Sequence, residues 1–390
     1  MADIPPRYQA DLEDTLMIPS TDQQSVSSRS PSRRWDDPPE EEPDAPAENI
    51  TTMVFIKAFD IRTYLESEIL SLTFTPNDTH IAAVTTKATN RAAADPDSPC
   101  TLALWSAING QRASTSALSS WGLRVTEGFA FKPGTAELAV ACPFRYYSPN
   151  ASTAIADTVY RLEVYSLGRR ERLVKQDVGV RAPVCWSPDG SFLVGVSTRD
   201  PSRLVTVAVG KDFAKVEKVL PRHVDEVTQL AFLPRGSVAV GNVDAVVSAG
   251  KDGYVRVTNV ESGRTLFKIE VGARAPAGMM QVSPDGTLVV TVWGRDVVLW
   301  WLDSGRVHTY NLNVVRQTEG WPLCVSPDCR YLACRTEEGF DVSDVLTGKF
   351  RGEFTWTGQF LSAAAFSSDG RRLAMGDYVG GLHMFEVVTP

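Results

Sequence analysis

One phrase recurs seven times along this chain: an aromatic or aliphatic residue, a spacer, usually Pro, then Asp-Gly or a near equivalent, followed by an apolar run. It reads LTFTPND, FAFKPGT, VCWSPDG, AFLPRGS, QVSPDGT, CVSPDCR and AFSSDGR, with Pro76, Pro133, Pro188, Pro234, Pro284, Pro327 and Ser368 at the shared position. Successive copies lie 57, 55, 46, 50, 43 and 41 residues apart. A period in this range marks a stacked-repeat architecture, in which each unit buries its apolar face only against its neighbours.

Each phrase makes sense as the turn of a β-hairpin. Pro presets φ at the first corner, while Asp and Gly supply the side-chain cap and the positive φ that the reversal needs. The best copy starts at HVDEVTQLAFLPRG and continues to VVSAGKDGYVRVTNVESGRTLFKIEV, which predicts strands near 227–232, 245–249, 254–258 and 265–271. Four strands per repeat and seven repeats predict an all-β, seven-bladed β-propeller of four-stranded antiparallel blades. The last repeat stops after its third strand, whereas MVFIKAFDI at 53–61 is a strand with no first-repeat hairpin before it. Pairing the two supplies the missing outer strand and closes the ring without an unpaired edge.

With these repeats in place, the residues resemble the WD-repeat superfamily, over nearly all of 52–390. Its pattern places a His before the first strand, a Ser or Thr in the second, an Asp in the tight turn before the third and Trp-Asp at that strand's end. His223, Ser248 and Asp252 stand at the first three places, and Thr258-Asn259 where Trp-Asp would be. Trp105, Trp300 and Asp344 keep parts of the ending in other repeats. The resemblance implies that His223, Ser248 and Asp252 form a buried hydrogen-bond network within one blade and not a catalytic triad.

Residues 1–50 are rich in Pro, Ser, Asp and Glu and poor in clustered aliphatics. Such a composition buries too little surface to offset the entropy of ordering, so a disordered tail is expected there, with the propeller over 51–390. Within the tail a small basic block holding Ser30 and Ser32 runs into an acidic one, and phosphorylation of either serine would reverse the local charge. A formal net charge of -8 argues against general nucleic-acid binding, which needs a concentrated basic surface. No run of ~18 apolar residues spans a bilayer, and no secretory signal precedes the first strand. The expectation is a cytoplasmic or nuclear protein with its six cysteines as thiols.

The chemistry-bearing residues do not assemble a reaction centre. His80, His223, His308 and His383 show no i, i+4 pairing, and there is no CxxC pair, nucleophile elbow or P-loop. Cys324, Cys329 and Cys334 flank one turn and read as core thiols. No catalytic residue, metal or cofactor is therefore assigned.

Loop length is the remaining clue to a binding surface. The first two repeats are about ten residues longer than the others, and the excess falls at 87–99 and 144–158, between second and third strands. The second of these opens with Phe144, Arg145, Tyr146 and Tyr147, types enriched at interface hot spots. With Arg91 and Arg124 they form the candidate partner-binding set. The expected function is a non-catalytic protein–protein interaction scaffold, a monomeric propeller within a larger complex, with partners that are other proteins and with no membrane insertion. Two alternatives are a phosphoinositide-binding propeller, whose Phe-Arg-Arg-Gly signature has its nearest string at Arg169-Arg170, and a propeller-fold hydrolase.

Overall fold

The computed structural model describes residues 53–62, 67–87, 99–121, 128–146, 157–169, 171–272, 276–313, 321–355 and 360–388. The segment expected as a tail, with Ser30 and Ser32, lies outside them. The described residues form seven four-stranded antiparallel sheets. Blade 1 is β2 (Ser67–Phe74), β3 (His80–Lys87), β4 (Pro99–Ser106) and β5 (Arg112–Trp121). Blade 2 is β6 (Phe129–Phe131), β7 (Glu137–Tyr146), β8 (Asp157–Ser166) and β9 (Glu171–Gln176). Blade 3 is β10 (Val180–Trp186), β11 (Phe192–Ser197), β12 (Arg203–Val209) and β13 (Ala214–Arg222). Blade 4 is β14 (Val227–Phe232), β15 (Ala245–Gly250), β16 (Tyr254–Asn259) and β17 (Thr265–Glu270), matching the predicted strands to within a residue or so. Blade 5 is β18 (Ala277–Val282), β19 (Leu288–Trp293), β20 (Asp296–Trp301) and β21 (Val307–Asn311), and blade 6 is β22 (Trp321–Val325), β23 (Tyr331–Arg335), β24 (Gly339–Asp344) and β25 (Phe350–Thr355). Blade 7 combines β26 (Leu361–Phe366), β27 (Arg372–Asp377) and β28 (Gly381–Val388) with β1 (Val54–Arg62).

Burial follows strand rank within a blade. The second strands read as continuous apolar runs because a neighbouring blade covers both of their faces: every residue of β15 and β19 is buried. The outermost strands carry charged residues among apolar ones and remain largely exposed, as in TLFKIE of β17. The core is therefore distributed between blades. One cluster joins Ala245, Val247 and Val257 of blade 4 to Val289, Val298 and Trp300 of blade 5, and another joins Leu102 and Leu104 of blade 1 to Leu138 and Val140 of blade 2. Each blade buries its apolar faces against its neighbours.

The recurrent turn phrases are built as their chemistry requires. Ser187, Ser283, Ser326 and Ser367 each donate their hydroxyl to the Asp two residues on, at 2.5–2.8 Å, which fixes the corner. The closing position takes positive φ. It is Gly190 (φ 68) in blade 3, but Asp78 (φ 54) in blade 1 and Cys329 (φ 59) in blade 6.

Ring closure is made by β1 against β28, from Val54 opposite Val388 to Arg62 opposite Gly381. The strand is also held from the side. Met53 N–H donates to the Arg351 carbonyl at 2.7 Å, and Phe55 lies edge-on to Phe340, which contacts Phe354 and Phe385 in turn. Gly352 permits this approach, since a Cβ there would stand 2.6 Å from the Met53 carbonyl oxygen.

One expectation changes in detail. The stretch 144–158 is not loop throughout: β7 and β8 run ten residues each, with Phe144, Arg145 and Tyr146 opposite Val159, Thr158 and Asp157. The hairpin extends several residues past the six-residue second and third strands of blades 4 and 5 because strand-forming Tyr, Thr and Val flank the excess on both sides.

Candidate interaction surface

The residues that most resemble a catalytic centre are sealed. Nδ1 of His223 lies 3.0 and 3.1 Å from the two Asp252 oxygens, and Nε2 lies 2.8 Å from the Ser248 hydroxyl. The carboxylate only accepts, so Nδ1–H donates to Asp252 and Nε2 accepts from Ser248. This is Ser-His-Asp geometry, yet His223 and Ser248 are each 1% exposed. A nucleophile must reach its substrate, and this hydroxyl lies between two central strands. Asp252 also accepts from the backbone N–H of Val224 at 2.9 Å and of Tyr254 at 3.2 Å, and pairs with Arg256. The set thus ties the loop entering blade 4 to its second and third strands. Burial pushes the His223 imidazole below its ordinary value, against the opposing pull of Asp252. Burial alone would raise Asp252, but its hydrogen bonds from His223 and Val224 hold it below the usual carboxylate range. Gly250 makes room for both, because a Cβ there would fall 2.6 Å from the imidazole and 2.7 Å from the carboxylate.

A second histidine-centred set, which sequence reasoning missed, lies on the closure. His383 of β28 places Nδ1 2.7 Å from Asp60 of β1 and Nε2 3.1 Å from Asp377 of β27. Asp377 also caps the turn to β28, accepting from Val379 N–H at 3.0 Å and Gly381 N–H at 2.6 Å. Burial works to raise Asp60, but hydrogen bonds from His383 and Lys57 outweigh it and leave the carboxyl below its usual range. The available signal was the LHMF string, a His inside the apolar run of the last repeat.

The four cysteines whose side chains the structure describes, Cys185, Cys324, Cys329 and Cys334, are free thiols. Cys324 of β22 lies opposite Ala333, and Cys334 opposite Pro322, on adjacent strands. Burial raises the Cys185 and Cys324 thiols well above the ordinary range, and burial with Asp328 and Asp285 nearby pushes Cys329 up to about 12. Thiols so held are poor nucleophiles and poor metal ligands at neutral pH.

Exposed apolar side chains stand at both ends of the ring, with Ile108, Phe213, Val238 and Leu346 in turns at one end and an aromatic-rich group at the other. In a four-stranded antiparallel blade, the segment entering the first strand and the turn between second and third strands share an end. On that end stand Val224 (82% exposed) before β14, Trp321 (53%) at the start of β22, Phe360 (64%) before β26, and Tyr378 and Val379 between β27 and β28. Arg295, from the β19–β20 turn, lies 4.6 Å over the Trp321 ring, and Tyr378 N–H donates to the Phe360 carbonyl at 3.2 Å. The long β7–β8 hairpin rises at the same end. Of the sequence candidates, the backbone of Phe144, Arg145 and Tyr146 belongs to that hairpin, while Arg91, Arg124 and Tyr147 lie outside the described residues. Sequence reasoning missed Trp321, Phe360 and Tyr378 because a lone aromatic beside an apolar strand carries no mark of exposure. Among the described residues no helix is long and apolar enough to cross a membrane.

A family profile described as "WD domain, G-beta repeat" matches residues 214–259, which run from the outer strand of blade 3 to the third strand of blade 4 and include the His223–Asp252–Ser248 set. A WD repeat-containing protein, SL1-17 of Schistosoma mansoni, is 28% identical over 129 residues, 32% of this chain and 42% of that protein. The chain therefore matches under half the length of that curated relative.

Proposed function

Because this chain is a β-propeller of the WD-repeat superfamily, we propose that it acts as a non-catalytic protein–protein interaction scaffold, docking partner proteins on the end of the ring where each blade is entered. The observation that carries the reading is the exposure of Val224, Trp321, Phe360, Tyr378 and Val379 on that one end, contributed by blades 4, 6 and 7. Large side chains left in water on a rigid rim supply contact area at small conformational cost, and Arg295 stacked on Trp321 adds a pairing typical of hot spots. The sequence candidates Phe144, Arg145, Tyr146, Tyr147, Arg91 and Arg124 are kept as a proposed extension of that surface, of which the described residues include only the strand backbone of Phe144, Arg145 and Tyr146. The sealed state of Ser248 supports the absence of triad chemistry at the His223–Asp252–Ser248 set.

Affinity purification with mass spectrometry, comparing the full chain with a Trp321→Ala, Phe360→Ala, Tyr378→Ala variant, tests the reading. Stoichiometric partners recovered with the first and lost with the second, at unchanged thermal stability, are the expected result. Partners retained in full by the variant would place the docking surface elsewhere.

A further inference from the structure

The two buried histidine sets differ in what the second ring nitrogen faces. At His223, Nδ1–H donates to Asp252 and Nε2 accepts from the Ser248 hydroxyl, so a neutral imidazole satisfies both partners. At His383 both partners are carboxylates, with Nδ1 2.7 Å from Oδ1 of Asp60 and Nε2 3.1 Å from Oδ2 of Asp377. A carboxylate only accepts, and a neutral imidazole carries a single N–H, so one of the two contacts would set a lone pair against a carboxylate oxygen. Only the imidazolium, with an N–H on each nitrogen, makes both bonds.

The surroundings favour that charge. His383 and Asp377 are both buried, and a buried charge persists only where it is paired. Oδ1 of Asp377 accepts the N–H groups of Val379 and Gly381, which stabilise negative charge on this carboxylate. Oδ2 of Asp60 lies 2.6 Å from the Lys57 ammonium, so two cations and two carboxylates alternate along the group. On the elements packed around it, Arg372 of β27 and Glu386 of β28 stand opposite each other further along the ladder. Blade 1 contributes Glu68 of β2. Blade 6 contributes Asp341 of β24, Arg351 and Glu353 of β25, Glu337 and Glu338 in the β23–β24 turn, and Arg335, whose guanidinium donates to the Leu361 carbonyl.

We propose that ring closure is a proton-dependent latch, in which the His383 imidazolium bridges β1 to β27 and loss of its proton on alkalinisation loosens β1 from the last blade. The sign follows from proton counting. In the unfolded chain an imidazole gives up its proton near about 6.5. Above that pH the closed ring holds one proton that the unfolded chain lacks, so stability falls as pH rises, by up to about tenfold in the unfolding constant per pH unit. Below it both states hold the proton and the bridge acts at full strength. The His223 network works in the opposite sense because its imidazole folds neutral, and the difference lies in one partner: the Ser248 hydroxyl donates, whereas the Asp377 carboxylate does not. The latch is independent of which partner the ring binds.

Asp377→Asn tests the latch in the full chain. The amide keeps Oδ1 for Val379 and Gly381 and puts an NH2 where Oδ2 stood, which donates to Nε2 of a neutral imidazole and makes the set resemble that of His223. Urea unfolding at pH 7, 8 and 9 is expected to show the unfolding constant of the native sequence rising by up to about tenfold per pH unit relative to the variant. Hydrogen exchange, corrected for the intrinsic effect of pH, locates the change: peptides covering 53–62 are expected to lose protection in the native sequence before those of blade 4, and to keep it in the variant. Should the variant not fold, 15N spectra of the histidine rings in the native chain at pH 7.5 decide, with both nitrogens of His383 expected to be protonated. Parallel pH slopes for the two proteins, loss of protection spread evenly over all blades, or a bare nitrogen on His383 at pH 7.5 would overturn the latch.

Discussion

Oδ1 of Asp60 lies 2.7 Å from Nδ1 of His383, a residue 323 positions further along the chain, and the same two residues are register partners in the β1–β28 ladder. One short strand from the start of the described chain therefore completes the outer edge of the last blade, and the side-chain contact repeats what the backbone pairing does.

Removing that strand opens the ring, whereas removing the segment before it does not. Deletion of residues 1–48 is expected to leave thermal unfolding nearly unchanged. Deletion of 1–62 takes away Met53, Phe55 and the whole of β1. Truncating one buried Phe typically costs about 3–5 kcal/mol, so losing Phe55 together with the ladder should shift the protein to aggregation in size-exclusion chromatography. Equal Tm and equal monomer yield for the two deletions would show that the closure contributes nothing.

The His223 network predicts a stability that falls on acidification. The imidazole sits below its ordinary value in the folded state because it is buried, while in the unfolded chain it titrates near its usual value of about 6.5. As pH drops below that value, the unfolded state gains a proton that the folded state resists, and stability declines until the folded value is passed. Asp252, held low, adds a further loss at still lower pH. Urea midpoints measured from pH 7.5 to 5 should decline for the native sequence and decline less for His223→Gln, which should already be less stable at pH 7.5 by about 1–3 kcal/mol for the broken buried hydrogen bonds. Parallel slopes for the two proteins contradict the assignment.

Gly352 lies on the outer strand of blade 6, where a sequence reader expects tolerance. In Gly352→Ala the new Cβ would stand 2.6 Å from the Met53 carbonyl oxygen, and a backbone atom in a pinned strand yields poorly. The expected destabilisation is about 1–3 kcal/mol, as for overpacking elsewhere. The check is the urea midpoint, against Gly134→Ala as a control whose Cβ meets no atom within 4 Å but whose φ of 68° imposes strain. A Gly352→Ala protein as stable as the parent would mean that β1 is free to shift.

Much of the fold was legible because it is written repeatedly. The Pro-Asp-Gly phrases announce a turn by its own chemistry, and seven copies at a blade-length period leave few alternatives. Blade 4 was legible strand by strand because His223, Ser248, Asp252 and the KDG turn all mark it. Less was legible wherever a residue's role depends on a neighbour remote in sequence. Phe360 and Val379 look like ordinary core residues until the ring shows no blade above them. The loop at 144–158 read as a length excess, since strand pairing of Phe144 with Val159 depends on partners across the loop.

The closure also sets an order of events during synthesis. β1 is made first among the described strands, but its only ladder partner, β28, is made last. At about 5–20 residues per second, tens of seconds separate translation of Asp60 from that of His383. For most of that interval Phe55 has neither Phe340 nor Phe385 to pack against, and an aromatic strand with two open edges emerges ahead of the strands that will cover it. Until β28 is made that strand has no ladder partner, and the ring stays open.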